Sequence, residues 1–306
     1  MKNLDSIMKD VEDLFDKGQY SKACSLLKEL LGQDPNHFFG HFLLSLCLCK
    51  LQRFWGARQE AQITIELDPK AWQGHFAEAQ ALLGLERYQQ AHRHAEYVLE
   101  MAPDLGSAHH LSAKLSLATG DFARAEESFK QAVQLSPREL DFLSDLAKIQ
   151  LVSGKKEPAR QTIEKILNAA PEHIDGQVLM GCLNLDEGRL QEASDYAIRA
   201  LLQDHEHLGA RRLMAEIKAQ TNPLLGTWWK FNDKMLEFGQ DKTALIVLVS
   251  YVIARFAINL ANQGSNTLSF CIWFGFYGIC FLAWLAPALF HVILKSELDK
   301  SRMKDL

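Results

Sequence analysis

The feature that most limits what this chain can fold into is a repeat. Pro35, Pro69, Pro103, Pro137 and Pro171 stand 34 residues apart, and Ala23, Ala57, Ala91, Ala125, Ala159 and Ala193 keep the same period through six copies. Such a period marks one supersecondary unit stacked on itself, because a single unit cannot bury its apolar face alone. In register run Tyr20, Phe54, Tyr88 and Phe122, then Lys156 and Leu190. Gly18, Gly120, Gly154 and Gly188 share a position that Gln52 and Glu86 hold in copies two and three. One unit therefore reads as helix, turn, helix, proline.

Each recurring residue has a physical reason. The alanine opens the second helix where it crosses the first, and only a methyl group lets the two backbones come that close; a larger residue overpacks the crossing by about 1–3 kcal/mol. Glycine takes positive φ at the turn, and the aromatic two residues later fills the wedge between helices. Proline cannot continue a helix interior but fits near the first turn of the next. The predicted unit is an antiparallel helix pair.

These residues resemble the tetratricopeptide repeat family, whose 34-residue pattern has small residues at positions 8 and 20, an aromatic at 17 and proline at 32. The resemblance covers six copies, 4–37, 38–71, 72–105, 106–139, 140–173 and 174–207, about two-thirds of the chain. It implies an all-α, right-handed α-solenoid over 1–221, with a capping helix at 208–220. Two departures stand out: His41, His75 and His109 replace the aromatic usual at position 4, and His205 replaces the sixth proline. The first alters packing and the second marks an array near its end.

The family's groove positions are 2, 5, 9 and 12. In copies two and three they hold Phe39, Phe42, Leu46 and Cys49, then Gln73, Phe76, Gln80 and Leu83, an apolar floor. Copies four and five hold Ser107, His110, Lys114 and Leu117, then Asp141, Ser144, Lys148 and Leu151, a polar wall with two lysines. Two readings stand side by side: a hydrophobic peptide groove, or phenylalanines shared as core between adjacent helices. The family's carboxylate-gripping Lys and Asn are Met8 and Glu12 in the first copy, so binding of an acidic chaperone tail is not implied.

Other chemistry is poorly represented. With 33 Lys+Arg against 38 Asp+Glu and a net charge of -5, the chain has no basic footprint for nucleic acid. The first fifteen residues mix acids and bases and do not read as a secretory signal. The six cysteines lack zinc spacing and read as reduced core thiols. His41, His75 and His109 are one repeat apart rather than gathered, and His92 and His94 project from different helix faces, which argues against a metal site. Phosphate-binding glycine motifs, nucleophile elbows and HExxH patterns are missing, and Glu126 with Glu127 reads as a solvated face. No catalytic residue and no cofactor is expected.

The tail carries a second signal. Between Thr243 and Leu294 the only fixed charge is Arg255. Residues 243–261 and 268–294 are predicted transmembrane helices of about 28 and 40 Å, enough to cross the roughly 30 Å hydrocarbon layer, joined by a short uncharged turn with Gly264. Lys230, Lys234 and Lys242 precede them and Lys295, Lys300, Arg302 and Lys304 follow, so both termini and the 295–306 tail are expected to be cytoplasmic. Arg255 shares a helical face with Tyr251 and Asn259; it either snorkels or meets a partner's carboxylate in the membrane. In 222–242, Leu224, Trp228, Phe231, Met235 and Phe238 recur at four and three residues. This amphipathic helix, with Trp228, Trp229 and Phe231, lies along the lipid surface or caps the last repeat.

The sequence thus predicts a membrane-anchored scaffold that recruits a protein or peptide partner. The alternative is a subunit or assembly factor of a membrane complex, acting mainly through the hairpin near Arg255. The architecture resembles bacterial inner-membrane repeat proteins and, more distantly, organelle outer-membrane receptors.

Overall fold

A computed structural model describes residues 4–221. Thirteen α-helices and no strand occur among the described residues. They are α1 (Leu4–Asp16), α2 (Tyr20–Gln33), α3 (Phe38–Lys50), α4 (Phe54–Leu67), α5 (Trp72–Gly84), α6 (Tyr88–Met101), α7 (Gly106–Ala118), α8 (Phe122–Leu135), α9 (Leu140–Val152), α10 (Lys156–Ala169), α11 (Ile174–Asp186), α12 (Leu190–Gln203) and α13 (Leu208–Thr221). The fold class is the expected all-α helical repeat.

Two compact units meet in sequence at Thr162 and Ile163. In the first, each helix from α1 to α9 packs on the next, and α3 also touches α5, as α5 touches α7. The packing follows from the alanines: Ala23, Ala57, Ala91 and Ala125 are fully buried at their crossings. Larger side chains fill the space around them. Phe129, Leu27 and Leu82 are at most 1% exposed, each contributing about 1.5–3 kcal/mol by leaving water. In the second unit α13 packs on α11 and α12 through Ala210, Leu213, Met214 and Ile217.

The turns within each pair follow the glycine pattern. Gly18, Gly120, Gly154 and Gly188 take φ between 68° and 83°, and Gln52 and Glu86 adopt φ 59° at the same position. A side chain there brings Cβ close to the carbonyl, at about 1–2 kcal/mol. The aromatic at position 17 depends on its neighbour. Phe54 lies against Gly84, where a Cβ would run into the ring. The residue equivalent to Gly84 in copy five is Val152, and Phe122 of copy four stays 49% exposed instead of filling a wedge as expected.

The histidines at position 4 do more than change packing. His41 Nε2–H donates to the Pro35 carbonyl at 2.9 Å, His75 Nε2–H to Pro69 at 3.2 Å and His109 Nε2–H to Pro103 at 2.8 Å. In the second unit Gln177 Nε2–H donates to Pro171 at 2.9 Å. A donor at this position ties down the loop carbonyl that the proline turn leaves outside the helix. His37 and His173 act at the same loops as N-caps, their Nδ1 accepting from Gly40 N–H at 2.9 Å and Gly176 N–H at 3.1 Å.

Among the described residues no helix is long and apolar enough to cross a membrane. The expected amphipathic helix 222–242, both spans and the 295–306 tail lie outside them, as do Trp228, Trp229, Phe231, Arg255 and Asn259.

Candidate functional site

The side chains predicted to line a groove sit on α3, α5, α7 and α9, all within the first unit. Their spacing of three and four residues puts them on one face of each helix. Phe39, at the start of α3, is 51% exposed and meets Phe38 edge to face at 5.2 Å. Phe42 and Leu46 are half-buried, packed with Leu83 against a core of Phe76, Leu82, Val98 and Leu111. Phe76 itself is only 5% exposed, which for this residue fits the second of the two readings, core shared between helices. Among its neighbours is Trp72, which sequence reasoning overlooked. Its ring stands edge to face with Phe42 at 6.3 Å and with Phe76 at 6.1 Å, covering the latter. An aromatic at position 1, one turn before Phe76, was the available signal.

Cys49, the last groove position of α3, is half-buried. Burial pushes its thiol up to about 12, against the opposing charge of Lys114. It is a neutral side chain here rather than a nucleophile.

The other half of the face is polar and tied together. His110 stacks on Phe142 at 4.4 Å, with ring planes 19° apart, and faces Phe129 at 5.5 Å. Its Nε2–H donates to Asp145 Oδ2 at 2.9 Å, and Lys148 Nζ reaches Asp145 Oδ1 at 3.3 Å. Burial pushes the Asp145 carboxyl up, but the His110 bond and the charges of Lys148, His110 and Lys114 outweigh it and hold it below the usual carboxylate range. Lys114 and Lys148 are exposed. Ser144 is 1% exposed and contributes no surface; its buried hydroxyl has no hydrogen-bond partner. Leu117, one turn beyond Lys114, is 41% exposed. Phe142 and Asp145 were not foreseen, because they lie beside the repeat positions that the pattern identifies.

The remaining polar clusters lie elsewhere. Arg58 Nε–H donates to Glu78 Oε1 at 2.9 Å between α4 and α5. Burial raises the Glu78 carboxyl, opposed by bonding to Arg58 and its charge. His75 Nδ1 and His94 Nδ1 are 2.9 Å apart; with His75 donating through Nε2, the Nδ1–H of His94 donates to it. Burial, then the charges of His75 and Arg58, lower the pKa of His94. Among the described residues no three His, Cys, Asp or Glu side chains gather as metal ligands. Cavities of about 230 Å³ beside Tyr20 and Leu51 and about 180 Å³ beside Tyr88 and His92 lie away from the predicted face. Both are smaller than the few hundred Å³ typical of small-molecule sites.

A sequence model of the tetratricopeptide repeat matches residues 116–181. No curated protein matches the sequence. Among solved structures, PilF of Pseudomonas aeruginosa is similar with a TM-score of 0.53 at 17% identity, over 70% of this chain and 97% of that one. A tetratricopeptide repeat protein of Parabacteroides merdae gives 0.56 at 16% identity, over 70% and 84%. The Cut9–Hcn1 hetero-tetramer of the APC/C gives 0.62 at 12% identity, over 71% of this chain and 43% of that one. What the chain shares with them is the tetratricopeptide-repeat fold.

Proposed function

We propose that the chain is a membrane-anchored interaction scaffold, not an enzyme: a right-handed repeat array recruits a protein or peptide partner to the cytoplasmic face of a membrane, and a two-span hairpin at 243–261 and 268–294 holds it there. The observation that carries the binding half is the apolar row of Phe39, Phe42, Leu46 and Leu83, whose rings and aliphatic groups remain partly open to solvent on consecutive repeats. A row of this kind suits an extended or helical segment laid across the array. The anchoring half rests on the apolar tail and its seven flanking bases, and the bacterial inner membrane is the favoured location, an organelle outer membrane the alternative.

The purified full chain in mild detergent tests binding. Phe39→Ala and Phe42→Ala, singly, should each weaken capture of co-purifying partners at least about tenfold, since truncating an aromatic anchor removes about 2 kcal/mol. Unchanged capture by both variants refutes the groove. Topology is tested with single cysteines in a background lacking the native ones. A cysteine at Ser265 should react with an impermeant reagent from outside and one at Ser296 should not; the reverse pattern inverts the orientation, and outside labelling at both positions refutes the hairpin.

One sequence observation favours a second reading. Arg255 stands six residues before the end of its apolar run, with no Asp or Glu in either run to pair with it. A membrane-complex subunit would use it against a partner's carboxylate. Loss of complex assembly on Arg255→Leu, with capture by the groove intact, would favour that reading.

A further inference from the structure

We propose that the edge of the first unit formed by the turns within its helix pairs rests on an anionic lipid surface, with Trp55 and Phe122 at the interface and Lys22, Lys50, Arg53 and Arg87 among the headgroups. The inference rests on the anchoring reading above. Its basis is the way charge is sorted between the two edges of the array. The first two turns, 16–22 and 50–56, hold Lys17, Lys22, Lys50 and Arg53 against Asp16 alone. The next two, 84–90 and 118–124, balance Arg87 with Glu86 and Arg124 with Asp121, whose carboxylate is engaged in capping α8 at Arg124 N–H. Turn five adds Lys155 and Lys156 against Glu157, with Lys155 held by Glu126 at 2.8 Å. The loops between pairs are the opposite. Those at 33–39 and 101–107 hold Asp34 and Asp104 with no base, 67–73 balances Asp68 with Lys70, and 135–141 holds Glu139 and Asp141 against Arg138. No turn is net negative and no loop is net positive. The whole chain has a net charge of -5, so bases gathered on one edge run against its average.

The turns also form one strip. The Arg87 guanidinium lies 4.9 Å over the Trp55 ring and so joins turns two and three. The cavity of about 230 Å³ opens between Gly18, Lys22 and Leu51, joining turns one and two. That of about 180 Å³ lies between Tyr88 and Arg124, joining turns three and four. On this strip Trp55 is 60% and Phe122 49% exposed, and Lys22, Lys50, Arg53 and Arg87 are exposed around them. Leu67, Met101 and Leu135 are exposed at the other edge, so exposed apolar groups do not distinguish the two; the bases standing among them do. A tryptophan with an apolar body and a polar N–H suits the headgroup level of a bilayer, and bases beside it meet lipid phosphates. The occupant is lipid rather than an acidic protein because the apolar tail and its flanking bases already bring the chain to a membrane on the anchoring reading. Contact at these helix ends leaves the groove side chains, which run along α3 to α9, open to a partner.

Lysine footprinting of the unaltered full chain in lipid nanodiscs tests this. The discs contain phosphatidylcholine alone or phosphatidylcholine with an equal part of phosphatidylglycerol, and brief acetylation is read by mass spectrometry. In the anionic discs acetylation of Lys22 and Lys50, relative to Lys70 on the opposite edge, should fall at least about threefold, and high salt should restore it. The Arg53→Glu, Arg87→Glu double variant should lose the protection of Lys50. Equal ratios of Lys50 to Lys70 labelling in the two kinds of disc, or protection of Lys70 instead, overturn the inference while the anchoring reading stands. Polyglutamate added to the phosphatidylcholine discs should not protect Lys50; if it does so as well as phosphatidylglycerol, the edge takes acidic polymers in general and the lipid assignment fails. If the chain does not elute with discs of either kind, anchoring fails and this inference fails with it.

Discussion

On the row formed by α3 and α5, and on that formed by α7 and α9, the same repeat positions have different fates. On α3 and α5 the groove side chains are largely apolar, and neighbouring rings claim part of them: Trp72 covers Phe76, and Phe42 and Leu46 sink halfway into the same cluster. On α7 and α9 the side chains are polar and held in the surface by directional bonds among His110, Asp145 and Lys148. The repeat pattern assigns a face, but the residue one turn away decides whether a side chain on that face is surface or core. Apolar groups are drawn inward by any neighbour able to cover them, whereas charged ones stay at the boundary where water or an opposite charge satisfies them.

The largest expected effect separates core from floor. Phe76→Ala should destabilise the protein by about 3–5 kcal/mol, as for other buried phenylalanines, while Phe39→Ala should stay within about 0.5 kcal/mol. Denaturant titration of the full chain in detergent compares them, and a small loss at Phe76 would return it to the open floor. Ala91→Leu, at a fully buried crossing, should follow with about 1–3 kcal/mol lost by overpacking. An unchanged melting temperature there would mean that α5 and α6 do not meet through this methyl group.

A smaller contrast lies in acid. Asp145, below its ordinary value of 3.8 when folded, contributes stability that is present above that value and lost as pH falls through the lower folded one. Glu78, raised above 4.5, has the opposite sign: its favourable contribution is full below that value and lost as pH rises through the raised folded one. Melting followed by circular dichroism across the acid range should therefore flatten below 3.8 in Asp145→Asn and above 4.5 in Glu78→Gln. The same sign of change in both variants would contradict the two environments described. The smallest effect is a gain. Gln52→Gly and Glu86→Gly should each stabilise by about 0.5–1 kcal/mol, because both residues hold positive φ that glycine adopts without strain.

Much of the fold was legible because it is periodic. Alanine at position 20, proline at 32 and the turn glycines specify helix, turn and helix without knowledge of any contact, and Gln52 and Glu86 were visible as the two non-glycine turn residues. The candidate face was legible only as a set of positions. Phe76 is buried beside Trp72, at a position the repeat leaves free, and Phe122 is exposed where the equivalent Phe54 lies against Gly84. Histidine at position 4 was visible as a departure, but its bond to the preceding proline's carbonyl is a tertiary fact that no spacing encodes. Asp145 was equally hidden. An acid on an amphipathic helix is unremarkable until His110 and Lys148 bond to it.

The most direct test of the central claim, that this face of α3 to α9 is where a partner binds, is site-specific photo-cross-linking in cells expressing the full chain. A photoreactive amino acid replaces Phe39, Lys114 or, as a control, Gln131, which is exposed on α8 away from the predicted face. The account predicts discrete cross-linked species from positions 39 and 114 that share one partner, and none from 131. The same species from 131, or none from 39 and 114, would contradict it.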